Sequence, residues 1–253
     1  MQTAEMTARI AAGNGFIAAL DQSGGSTPKA LKGYGIDEGA WSNDEEMFGL
    51  IHDMRTRIIT APAFNGSKVF GAILFERTMD SEIQGKPAPQ ALIARKVIPF
   101  LKIDKGLEAE TNGVQLMKPM PGLEKLLARA RVLGIYGTKE RSVINGANRA
   151  GIAAIVAQQI EVGRQVLAAG LVPILEPEVN IKSPDRAESD AILLDELTRG
   201  LSAMPGNDQV MLKLSLPVKA GLFDALVDHP RVLRVVALSG GYNRPDACTE
   251  LAK

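Results

Sequence analysis

With 253 residues, 29 Lys plus Arg against 29 Asp plus Glu, and one cysteine, the chain excludes several classes of protein at the outset. Zero net charge leaves no broad basic surface for nucleic acid or an anionic membrane. A lone Cys248 rules out an internal disulfide framework and suits a reducing, cytoplasmic setting, while no apolar run approaches the length of a membrane span and Met1-Gln2-Thr3-Ala4-Glu5 lacks the start of a secretion signal.

The length suits one large domain over residues 1–253 with a substantial core. After a short N-terminal helix, Phe16 to Asp21 reads as a first buried strand, followed by the loop Gln22-Ser23-Gly24-Gly25-Ser26 with an accessible backbone. Ser42 and Glu45 fit a capping box and predict a helix over 43–59. Gly71 to Glu76 is the second strand and Pro99 to Ile103 the third. A helix over Leu123–Val132, ending near Gly134, leads to a fourth strand read at Leu133–Lys139. A long helix over 148–169 stops at Gly170, and Val172 to Glu176 is the fifth strand. Ser183-Pro184 starts the next helix, with serine as cap and proline at the first helical position. Val210 to Pro217 and Val232 to Leu238 complete seven strands, the last leading into Ser239-Gly240-Gly241.

Strict strand–helix alternation argues for an α/β protein with a parallel sheet. No Gly-rich dinucleotide fingerprint follows the first strand, and chemistry spread over most strand ends favours a (β/α)₈ TIM barrel over an open sheet. Thr249 to Lys253 lies in the helix after the seventh strand. The eighth strand is therefore missing from this sequence, and a C-terminally incomplete barrel is expected.

Lys102, Lys139, Glu176 and Lys213 recur every 37 residues. A strand plus crossover helix takes at least about 30 residues, so this is the period of a βα array, with each charge at or near a strand end. Any one such lysine has an ordinary reading as half of a structural ion pair. Three lysines and a glutamate in phase point instead to chemistry, because an amine desolvated beside other cations is partly neutral and attacks carbonyls to form a Schiff base. Glu176, followed by Pro177-Glu178, is placed to shuttle protons, and Asp21 is a further acid, base or hydrogen-bonding group. Either carboxylate could instead neutralise the lysines. The Ser23–Ser26 and Ser239–Gly241 loops suit phosphate oxygens; as a pair they suggest a doubly phosphorylated ligand. Two histidines, His52 in a helix and His229 in a helix-ending Asp-His-Pro, are too few for the usual catalytic zinc site. Neither metal nor cofactor is expected, and Cys248 reads as an inert helix residue.

Over essentially its whole length the chain resembles class I fructose-bisphosphate aldolases of the shorter bacterial type. Carrying that resemblance are Ala19-Leu20-Asp21-Gln22-Ser23, Ala72-Ile73-Leu74-Phe75-Glu76, Leu101-Lys102-Ile103-Asp104-Lys105-Gly106, Leu175-Glu176-Pro177-Glu178, Leu212-Lys213 and Leu238-Ser239-Gly240-Gly241. It implies a (β/α)₈ barrel that reversibly cleaves fructose 1,6-bisphosphate to dihydroxyacetone phosphate and glyceraldehyde 3-phosphate. It further implies that Lys213 forms the Schiff base, that Glu176 handles protons, that Asp21 lies near the C4 hydroxyl and that Lys139 assists there electrostatically. Lys102, Ser23 and Ser26 resemble the pocket for the aldehyde-side phosphate, and Ser239, Gly240 and Gly241 the pocket for the other. Arg141 and Glu178 match supporting positions. Three features depart from the pattern: no residue corresponds to the phosphate-clamping arginine of the eighth strand, the tyrosine-bearing tail of animal members is absent, and Lys29 follows Thr27-Pro28, unlike the animal form. The implied partner is a small phosphorylated sugar, without nucleic acid or membrane, and a homo-oligomer is left open. Two other readings are a Schiff-base aldolase for a different phosphorylated sugar and a binding or scaffold barrel without turnover. Aldehyde preference separates the first, and intact acid, base and nucleophile positions count against the second.

Overall fold

A computed structural model describes residues 1–253. In chain order its elements begin α1 (Thr3–Ala12), β1 (Phe16–Leu20), α2 (Ser26–Gly33), α3 (Asp44–Thr60), β2 (Val69–Leu74), α4 (Glu76–Met79), β3 (Glu82–Ile83), β4 (Lys86–Pro87), α5 (Ala88–Ala94) and β5 (Ile98–Lys102). They continue with β6 (Val114–Gln115), α6 (Leu123–Val132), β7 (Gly137–Ile144), α7 (Arg149–Ala168), β8 (Val172–Val179), α8 (Arg186–Ser202), β9 (Val210–Ser215), α9 (Asp224–Val227), β10 (Val232–Leu238) and α10 (Arg244–Leu251). The chain divides into two compact units, residues 1–102 with 128–136, and residues 103–127 with 137–253. No helix is long and apolar enough to cross a membrane.

The first unit is built on three parallel strands in the order β1-β2-β5, with Leu20 opposite Leu74 and Leu74 opposite Leu101. Every residue of β2 is buried, as expected of a parallel strand covered on both faces. The first strand differs from the expectation of a buried run. Only Leu20 is buried in β1 and Phe16 is 54% exposed, because this strand pairs on one side alone, with β2. Helix α3 buries Met47, Ile51, Met54 and Ile59, the spacing of one helical face. Its cap lies one residue beyond the expected Ser42. The Asn43 side chain accepts from the Glu46 backbone N–H, while the Glu46 carboxylate accepts from the Ser42 N–H at 2.7 Å, which satisfies two otherwise unpaired donors reciprocally.

In the second unit β7, β8, β9 and β10 are parallel neighbours in that order, and β6 runs antiparallel on β7. Ile155 and Val156 of α7, Leu193 and Leu197 of α8, Leu175 of β8 and Leu212 of β9 share one core. The other face of the strands carries the charged side chains Lys139, Glu176 and Lys213.

Several element boundaries depart from the sequence-based reading: β8 runs on to Val179 rather than ending at Glu176, and Glu76 opens α4 rather than ending β2. The apolar run Leu133–Tyr136 is not strand but the turn that closes α6: Gly134 adopts φ +88° and the Ile135 N–H returns to the Ala130 carbonyl at 3.0 Å. Glycine suits that left-handed position because other residues are strained there. Strand β7 thus starts at Gly137 and runs on through the charged residues to Ile144. Ser183-Pro184 likewise does not start a helix. Ser183 N–H donates to the Asn180 carbonyl, finishing the turn after β8, and α8 begins at Arg186.

Candidate active site

Side chains of a strand alternate between its two faces, and in the second unit this alternation sorts β7 into two chemistries. On one face lie Lys139 and Arg141, joined by Glu176 and Glu178 of β8 and Lys213 of β9. Lys213 Nζ donates to Glu176 Oε1 at 2.8 Å. The other carboxylate oxygen, Oε2, lies 3.2 Å from Lys139 Nζ, which is also 3.8 Å from Asp104 Oδ2. Asp104 in turn accepts from the Arg141 backbone N–H at 3.2 Å, and Arg141 pairs with Glu178. Two ammonium groups and two carboxylates therefore balance inside the unit, as buried charges must. The Lys139 side chain is 3% exposed and that of Lys213 17%. Of the two amines, Lys213 is the more exposed.

These pairs explain the interval seen in the sequence. Asp104 to Arg141, Arg141 to Glu178, and Glu176 to Lys213 are each contacts across 37 residues, and Lys139 to Glu176 has the same separation. The expected placement at or near strand ends holds for Lys102, the last residue of β5, and for Lys213, two residues before the end of β9. Lys139 and Glu176 instead sit inside β7 and β8, which run on to Ile144 and Val179. Mutual ion pairing lets the strands run through these charges rather than stop before them.

The opposite face of β7 carries Thr138, Glu140 and Ser142, all 0% exposed. Gln159 of α7 donates to Ser142 Oγ at 2.7 Å and to the Glu140 carbonyl at 3.2 Å, and Thr138 Oγ1 donates to Glu140 Oε2 at 3.1 Å. Burial pushes the Glu140 carboxyl well above its ordinary range; the Thr138 bond opposes this, Asp104 and Glu176 add to it, and Lys139 opposes it. Unfolded, Glu140 ionises near pH 4.5, whereas folded it keeps its proton far above that value. The folded state then binds the extra proton, so stability is lost as pH rises through this interval. Glu140→Gln removes that loss: in denaturant titrations from about pH 5 to about pH 8, the variant gains on the parent as pH rises. A stability difference that stayed constant over the range would show that Glu140 is ionised in the folded protein.

Ser239, Gly240 and Gly241 follow β10, with φ of +63° at Gly240 and +102° at Gly241. A Cβ on Gly240 would lie 2.6 Å from Ile181 Cγ2, so glycine there serves both conformation and close packing.

In the first unit Asp21 follows β1 and is 9% exposed. The Ser23–Ser26 loop is closed on itself, since Ser26 Oγ accepts from the Ser23 N–H at 3.0 Å and donates to the Ser23 carbonyl at 2.9 Å. Beneath it Arg55, 2% exposed, donates to the Gln22 carbonyl at 2.6 Å and to Thr78 Oγ1 at 2.7 Å. Burial lowers the Arg55 pKa to about 10 while nearby Asp21 opposes the shift. Within the second unit, then, Lys213, Glu176 and Lys139 form one cluster that Arg141 joins through Asp104. Within the first, Asp21 is accompanied by Arg55. Sequence reasoning missed Arg55 and Asp104. Arg55 was signalled only as a charge interrupting the apolar stripe of α3, and Asp104 as an acid two residues after a strand-end lysine.

Parallel strands that lead into helices, with paired lysines and carboxylates along consecutive strands, define an α/β barrel fold. The fold is the TIM barrel of solved aldolases. Fructose-bisphosphate aldolase from Plasmodium falciparum, solved in complex with TRAP and a small-molecule inhibitor, matches with a TM-score of 0.79 at 21% identity, over 98% of this chain and 78% of that one. The family model for fructose-bisphosphate aldolase class-I matches residues 2–194. This chain belongs to the class-I fructose-bisphosphate aldolase family.

Proposed function

We propose that the chain is a lyase that reversibly cleaves fructose 1,6-bisphosphate to dihydroxyacetone phosphate and glyceraldehyde 3-phosphate through an imine on Lys213. The observation that carries this reading is the 2.8 Å contact between Lys213 Nζ and a Glu176 carboxylate held from its other oxygen by Lys139 at 3.2 Å. Glu176 is in reach to take a proton from the attacking amine and return it to the departing C2 hydroxyl as the carbinolamine loses water. The resulting iminium draws in the electron pair of the C3–C4 bond. That bond breaks as the C4 hydroxyl gives up its proton, releasing glyceraldehyde 3-phosphate and leaving a neutral enamine on Lys213. Protonation at C3 and hydrolysis then free dihydroxyacetone phosphate and restore the amine.

The family resemblance assigns the remaining roles. Asp21 is proposed to act at the C4 hydroxyl, Ser23, Ser26 and Lys102 at the aldehyde-side phosphate, and Ser239, Gly240 and Gly241 at the phosphate nearest the imine. Arg141 and Glu178, paired with each other, are proposed as supports. Borohydride reduction with dihydroxyacetone phosphate tests the centre of this scheme. Peptide mass mapping is expected to find one three-carbon adduct, on Lys213; an adduct on Lys102 or Lys139 instead would overturn the assignment.

A further inference from the structure

Arg186, the first residue of α8, is 9% exposed and is used by none of the steps above. Its guanidinium joins two loops. One terminal nitrogen donates to the Tyr242 hydroxyl at 2.7 Å, and the guanidinium carbon lies 5.8 Å from the centre of the same ring. The other terminal nitrogen donates to the Leu216 carbonyl. Leu216 is three residues beyond Lys213, and Tyr242 immediately follows Gly241. Further bonds tie the same parts together. The Leu216 N–H reaches the Leu238 carbonyl at 3.4 Å, the Tyr242 N–H reaches the Ser239 carbonyl at 3.3 Å, and Asp190, one turn along α8, accepts from the Val218 N–H at 2.9 Å.

We propose that Arg186 and Tyr242 are positioning residues that hold the Ser239–Gly241 loop at a fixed reach from Lys213, and so set the preference for a ketone that carries a phosphate. The inference rests on the proposed imine site and deepens it. A planar, forked guanidinium is suited to the task because its two donors keep a fixed angle between a strand-end carbonyl and a phenol; an ammonium is a single point and cannot span both. Gly240, pressed against Ile181 at a positive φ, has little freedom to compensate if the tyrosine side lets go. Tyr242 would keep the loop from drifting outward while the ketone carbon is under attack, and Arg186 would register that restraint against the strand that carries the amine.

The test uses the full chain with Tyr242→Phe, Arg186→Gln and Arg186→Lys. Two readouts are taken: the midpoint of stabilisation by inorganic phosphate in thermal melts, and the half-saturating concentrations of dihydroxyacetone phosphate and of unphosphorylated dihydroxyacetone in borohydride trapping at Lys213. Losing the single phenol bond is expected to raise the phosphate midpoint about 2- to 10-fold in Tyr242→Phe, and losing both guanidinium bonds about 10- to 100-fold in Arg186→Gln. Arg186→Lys should fall between parent and Arg186→Gln. The preference for the phosphorylated ketone should shrink by the same factors, through half-saturation rather than maximal rate. A phosphate midpoint unmoved in Tyr242→Phe and Arg186→Gln overturns the proposal. Equal weakening toward both ketones also overturns it, because the pair would then merely support the fold. If the unaltered chain traps neither ketone while the phosphate midpoints still move as stated, the imine scheme fails and the assignment of Arg186 and Tyr242 to the loop stands.

Discussion

Replacing Lys213 with alanine is expected to abolish borohydride trapping and to lower turnover by roughly 10⁴- to 10⁶-fold, the range seen when an enzyme's covalent nucleophile is removed. The expectation follows from position. Lys213 is the more exposed of the two amines on Glu176, at 17% against 3% for Lys139. Folding should survive, since the Lys213 side chain is 17% exposed and the alanine leaves Glu176 paired with Lys139 at 3.2 Å. Near-normal turnover in a folded Lys213→Ala variant, measured by coupled assay of triose phosphate release, would end the imine proposal.

The second large effect is expected at Glu176. Glu176→Gln keeps the shape of the side chain but removes its capacity to carry a proton, and general acid–base groups contribute about 100- to 10,000-fold. The loss should fall on turnover more than on half-saturation. It should also be smaller for reduction of a preformed imine than for imine formation, because the first needs no proton on Glu176. Substitution also removes one charge from a buried cluster of two lysines and two carboxylates, and breaking such a pair costs about 3–5 kcal/mol. Thermal melts of the variant therefore accompany the kinetics. A folded Glu176→Gln protein with less than a twofold change in turnover would remove Glu176 from the proton-transfer steps.

Much of the architecture was legible in the sequence because a parallel α/β array writes its period into the chain. The seven predicted strands all correspond to observed ones in the expected order, and the 37-residue interval proved to be the sequence separation of real contacts. What escaped was set by long-range pairing. Leu133–Tyr136 looked like strand because it is apolar, yet it is the turn in which Gly134 reverses the chain. Beyond Lys139 the strand was read as ended, yet it runs on to Ile144, with Lys139 paired to Asp104 and Glu176 and Ser142 bonded by Gln159 from other elements. Capping chemistry was read in kind but misplaced, since Ser42, Asn43 and Glu45 all have suitable side chains and only the observed bonds distinguish Asn43 with Glu46. Arg55 could not be placed from local sequence at all. Its acceptors, the Gln22 carbonyl and Thr78, come from segments distant in the chain.

The two-sided character of β7 limits how this protein can change. Along the strand, members of the lysine–carboxylate cluster alternate residue by residue with members of the buried polar layer against α7. A one-residue slip of β7 against β8 would exchange the two sets, bringing a protonated acid to the face of Glu176 and a cation beneath the helix, whereas a slip of two would restore the phase. A residue inserted within the strand before Lys139 is thus expected to be silent only if a bulge absorbs it.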